Sequence, residues 1–76
     1  MIKIQTVGKE DFLCYSLDQL SQAINKVAGC HASVKYRQKS GLSRVLYLTV
    51  TAGGVIKDTY TEKVFEIEEL WRLHLI

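Results

Sequence analysis

The sequence predicts a single α+β domain over residues 1–76: an antiparallel sheet of three to five strands with two helices on one face, in the order strand, optional short strand, helix, three strands, helix. Three observations point there. The first is an amphipathic stripe between Leu17 and Val27. The second is strict alternation through Ala32–Gln38 and Arg44–Thr51, with a glycine-bearing turn between them. The third is a helical apolar pattern in the last dozen residues.

In chain order, Ile2, Ile4 and Thr6 share one face of a strand whose other face carries Lys3 and Gln5. Gly8 to Asp11 reads as a polar turn, and Phe12–Tyr15 as either a return strand or an extended lead into the next helix. Leu17, Leu20, Ile24 and Val27 fall on one helical stripe; Ser16 and Gln19 form a capping box, and Gly29 suits a left-handed end near Ala28. In the next strand Ala32, Val34 and Tyr36 face one way, and Ser33, Lys35 and Arg37 the other. After Lys39–Ser43, Leu46, Leu48 and Val50 alternate with Val45, Tyr47 and Thr49. Paired glycines at 53 and 54 turn the chain into a third strand expected over Val55–Thr61. The tail from Val64 to Ile76 is expected to be helical, with Ile67, Leu70, Trp71 and Leu75 inward and Glu66, Glu68 and Glu69 in its first turn, where they suit the helix dipole.

Composition narrows the function. The chain has 76 residues, 47% of them hydrophobic, and a net charge of +2, which fits a small folded domain and excludes a disordered tail or a large enzyme scaffold. No apolar run is long enough to span a bilayer, and the first residues lack the continuous apolar segment of a secretory signal, so the expected location is cytoplasmic. Two cysteines, Cys14 and Cys30, are expected to be free thiols. There is no glycine-rich phosphate loop, no Cys-x-x-Cys and no His-x-x-x-His, so no cofactor and no metal are expected. Cys30 and His31 are neighbours, but strand alternation sends them to opposite faces, which leaves no catalytic dyad. The expectation is a protein that is not an enzyme.

The small net charge conceals a division. Between Gln19 and Lys57 lie six cations and no acid; from Asp58 onward five acids face two bases. Lys35, Arg37, Lys39, Arg44 and Tyr47 therefore form the candidate partner- or nucleic-acid-binding surface, a phenol set among cations on the sheet face that the helices leave open. The tail spreads its apolar residues over more than one stripe, so either its end departs from helix or Trp71, Leu73 and Ile76 form an oligomer or partner contact, which leaves a homodimer open. The leading functional expectation is a small interaction module that binds a larger protein or ribonucleoprotein. Chains of this size without a chemical motif are frequent among phage and mobile-element accessory products, including inhibitors of host defence such as anti-CRISPR proteins, and that prior adds inhibition of a host complex to the expectation. The alternative is a nucleic-acid-binding module using the same basic face. The order helix, three strands, helix is similar to that of double-stranded-RNA-binding domains. The similarity is one of element order: where that family's second helix opens with phosphate-gripping lysines, this chain has Glu66, Glu68 and Glu69.

Overall fold

A computed structural model describes residues 1–76. The elements are β1 (Ile2–Gln5), β2 (Phe12–Cys14), α1 (Leu17–Lys26), β3 (His31–Arg37), β4 (Ser43–Val50), β5 (Ile56–Asp58), β6 (Val64–Phe65) and α2 (Ile67–Arg72), closed by a 3-10 turn at Leu73–Leu75. All six strands join one antiparallel sheet in the order β2-β1-β3-β4-β5-β6. The α+β class and the antiparallel sheet are as expected, but the sheet has one strand more than the upper expectation.

The alternation read from the sequence decides which side of the sheet is buried. Ile2, Ile4, Ala32, Val34, Leu48, Val50 and Ile56 pack with Cys14, with Leu20, Ala23 and Ile24 of α1, with Val27 just past its end and with Leu70 of α2 into a single apolar cluster that contains no buried polar or charged residue. Hydrophobic transfer of these side chains, worth about 1.5–3 kcal/mol for each large one, holds both helices to the same face. At the start of α1 the Gln19 N–H donates to Ser16 Oγ at 3.2 Å, the first half of the expected capping box, but Gln19 Oε1 accepts from the Tyr15 N–H at 2.7 Å, one residue before the Ser16 N–H that a reciprocal box would use. The helix ends at Lys26 rather than Ala28, and Gly29, at φ +83°, swings the chain so that its N–H donates to the Val50 carbonyl at 2.7 Å. That bond ties the end of α1 directly to β4.

The expected strand Val55–Thr61 is cut short at Asp58. The Asp58 carboxylate accepts from the N–H groups of Tyr60 and Thr61 at 2.8 and 2.9 Å, a tight turn that side-chain capping by aspartate favours. The Asp58 N–H then donates to the Lys63 carbonyl at 2.8 Å, and Val64–Phe65 return as β6. Residues expected to open the tail helix are therefore an edge strand. Both sheet edges carry an aromatic ring under a lysine: Lys26 Nζ lies 5.7 Å from the Phe12 ring centre on β2, and Lys63 Nζ lies 4.8 Å from that of Phe65 on β6. Charged side chains over short edge strands discourage pairing with other chains.

The tail also departs from α-helix, as one of the two expected outcomes had it, but as a 3-10 turn and not as a strand. With three residues per turn, Leu73 comes into line with Leu70 and packs half-buried against the core. The Lys39 N–H donates to the Ile76 carbonyl at 2.9 Å, pinning the chain end against the β3–β4 turn. Trp71 is half-buried with its ring 4.3 Å from that of His74, whereas Ile76 is 68% exposed. No helix is long and apolar enough to cross a membrane.

Two substitutions test this packing. Leu20→Ala removes a fully buried side chain and is expected to destabilise by about 2–5 kcal/mol, read as a large fall in the thermal unfolding midpoint. Thr6 Oγ1 is buried without a hydrogen-bond partner, so Thr6→Val should raise stability by about 1 kcal/mol, an increase of about 4–8 °C in a domain of this size. A lower midpoint for Thr6→Val would show that the hydroxyl is paired.

Candidate docking face of the sheet

The strand registers place the outward side chains in rows across the sheet. One row runs Leu13, Lys3, Lys35, Val45 over β2, β1, β3 and β4. The next runs Gln5, Ser33, Tyr47, and reaches Thr59, whose N–H donates to the Tyr47 carbonyl at 2.9 Å. A third runs His31, Thr49, Lys57, Val64 over β3 to β6. Arg37 lies two residues beyond Lys35, opposite Ser43.

Lys3 and Lys35 are thus directly opposed. Like charges at such a position are destabilising. Lys3 has a partner: its Nζ lies 3.5 Å from Asp11 Oδ2, which also accepts from Gln5 Nε2 at 3.2 Å. This is the only cation–carboxylate pair within 4 Å in the chain, so Lys35, Arg37, Lys39 and Arg44 have no internal counter-charge at that range. The acids of the tail are on the other side of the molecule, where the Glu66 N–H donates to Glu69 Oε1 at 3.1 Å at the start of α2.

Two depressions mark the open face. The first, of about 460 Å³, is bordered by Lys3, Lys35, Arg37 and Arg44 around Met1 and Val45. Arg44 enters it from the margin, since its pairing with Tyr36 places it in the phase of Leu46 and Leu48. The second, of about 340 Å³, is lined by Gln5, Ser33, His31, Tyr47, Thr59 and Tyr60 among others. No carboxylate lines either one.

Of the candidate residues, the structure brings Lys35, Arg37 and Arg44 together and sets Tyr47 in the adjoining depression. Lys39 is exposed in the hairpin turn and lines neither. Lys3 and Tyr60 were not among the candidates. The outward phase of Lys3 was readable, but its position beside Lys35 depends on β1 pairing with β3. The sequence pattern runs Tyr60 into the strand expected over Val55–Thr61, whereas the Asp58 turn brings its ring to 5.9 Å from that of Tyr47, edge to face.

His31 Nδ1 is 3.0 Å from Thr49 Oγ1, which is itself 3.0 Å from Thr59 Oγ1, while neighbouring Cys30 packs against the core on the other side. Both cysteines are free, and burial pushes the Cys14 thiol above its ordinary value. No cluster of three or more His, Cys, Asp or Glu is placed to hold a metal ion.

Compared with protein-family models, with curated proteins and with solved structures, the chain matches none of them.

The Asp58 turn that carries Tyr60 has a pH signature. Hydrogen bonds from the backbone N–H groups of Thr61 and Tyr60 hold the Asp58 carboxyl below its ordinary value. A depressed folded value means that the turn keeps its stabilisation above the unfolded value and loses it as pH falls through the folded one. The amide shifts of Tyr60 and Thr61 are expected to titrate with a midpoint below the usual 3.8, and Asp58→Ala to abolish that titration. A midpoint at or above 3.8 would contradict the capped geometry.

Proposed function

We propose that this chain is a non-enzymatic interaction module that docks an acidic surface of a larger protein or ribonucleoprotein complex on the open face of its sheet. The observation that carries the reading is the absence of internal counter-charge at Lys35, Arg37 and Arg44, which border one depression with Lys3. A fold selected for stability alone gains nothing by opposing Lys3 to Lys35. An external anion relieves that repulsion and turns it into affinity.

The surroundings suit a docking surface. Leu13 and Val45 flank the lysine pair and are each about half exposed, at 48% and 47%, and Tyr47 and Tyr60 lie in the next depression. Aromatic side chains and arginine are enriched where proteins contact one another. A module of this kind acts on its partner by blocking or bridging it, the mode of the small accessory inhibitors that the chain's size suggests.

Exposed charges are screened over about 8 Å at physiological ionic strength, so the contact should weaken as salt rises. The test compares the immobilised wild-type chain with the Lys35→Glu/Arg37→Glu double variant in the same lysate at low and high salt, with Glu68→Lys as a control on the acidic side. The expected result is a complex retained at low salt by wild type and by Glu68→Lys, released by salt, and lost from the double variant while its unfolding midpoint is unchanged. Equal retention by wild type and the double variant, or retention by neither, would overturn the reading.

A further inference from the structure

Resting on the docking reading, we propose that the anionic chemistry recognised by the open face is an unpaired nucleotide, with its base against Tyr47 and Tyr60 and its phosphate at Lys35 and Lys3. The two depressions adjoin on the sheet. The one containing the tyrosines measures about 340 Å³, at the small end of ligand clefts, and no charged side chain lines it; the other is bordered by four cations. That is the division a nucleotide presents, a neutral heteroaromatic ring joined to an anion. Along β3, Ser33 in the tyrosine depression and Lys35 in the cationic one are two residues apart, about 6.8 Å at a strand's rise, which a nucleotide spans from base to phosphate.

The rings are presented before any ligand arrives. Tyr47 is 51% and Tyr60 78% exposed, and they meet edge to face with centres 5.9 Å apart, so at least one ring face is open for stacking. Tyr60 is set in place by the Asp58 turn, and the Thr59 N–H bonded to the Tyr47 carbonyl docks that turn on β4. Polar groups for the edge of a base lie in the same depression. Gln5 commits its amide nitrogen to Asp11 and His31 its Nδ1 to Thr49, which leaves Gln5 Oε1 and His31 Nε2 to meet a ligand. A sheet that carries stacking rings beside lysines is a general solution for binding single strands, and it tolerates sequence because every base has a stacking face. The acidic start of α2 lies on the helix side, away from both depressions.

The nucleotide can belong to a strand or be free, and the experiment separates the two. Backbone and aromatic NMR shifts are followed while hexauridylate, uridine monophosphate and polyglutamate are added in turn at low salt. The expected result is that hexauridylate moves the resonances of Tyr47, Tyr60, His31 and Lys35. Tyr60→Ala should weaken its binding about tenfold, Tyr60→Phe should restore it, and Lys35→Glu/Arg37→Glu should weaken it and flatten its salt dependence. The same shifts with the monophosphate at comparable affinity assign a free nucleotide. If polyglutamate moves Lys35 and Arg37 while neither nucleotide probe moves the tyrosines, the nucleotide inference is overturned and the docking reading stands on an acidic protein. If charge reversal alters the binding of no probe, both are overturned.

Discussion

The seven-residue ladder between β3 and β4 is the constraint on which the rest of the molecule depends. His31 to Arg37 pairs without interruption against Thr49 to Ser43, and the side chains alternate with a period of two. Val34 and Leu48 are therefore fully buried beneath the helices, and Lys35 and Tyr47 face away from them. A slip of one residue would drive Lys35 into an apolar core and set Val34 in water, at a cost that no surface interaction could offset. The register is thus enforced by the core, and the composition of the open face follows from it.

This arrangement separates two kinds of physics on the two sides of one sheet. The helix side holds all thirteen buried residues and supplies the cohesion. The open side holds none of the fully buried residues, and it sets Lys3 directly opposite Lys35 with Asp11 paired to Lys3 alone. In a domain of 76 residues, which can bury only a modest core, the part of this face that gathers Lys35, Arg37 and Arg44 without a counter-charge beside half-exposed Leu13, Val45 and Tyr47 is a feature that core packing does not explain.

Much of this was legible in the amino-acid sequence because it is written in local periodicity. The stripe of α1, its Ser16–Gln19 cap and the alternation of β3 and β4 all depend on neighbours within a few residues, and each is found where the pattern placed it. What was not legible is long-range or depends on a single turn. The pairing of β1 with β3 brings Lys3 to Lys35, and no local pattern specifies which strand lies beside which. Asp58 interrupts a promising strand, and only the geometry shows that its carboxylate caps two N–H groups, folds the chain back as β6 and brings Tyr60 to Tyr47. In the tail, the apolar pattern continues through Leu75, but the change from α to 3-10 winding at Leu73 answers to the packing beneath it and to the bond between Lys39 and Ile76.

Solvent paramagnetic relaxation reads which side of the sheet faces water. A neutral soluble relaxation agent should broaden the side-chain resonances of Val45, Tyr47 and Tyr60 strongly and spare those of Ile4, Val34, Leu48 and Leu70. Sparing of Val45 and Tyr47 together with broadening of Val34 would mean that the helices cover the other face and that no cationic docking surface is open.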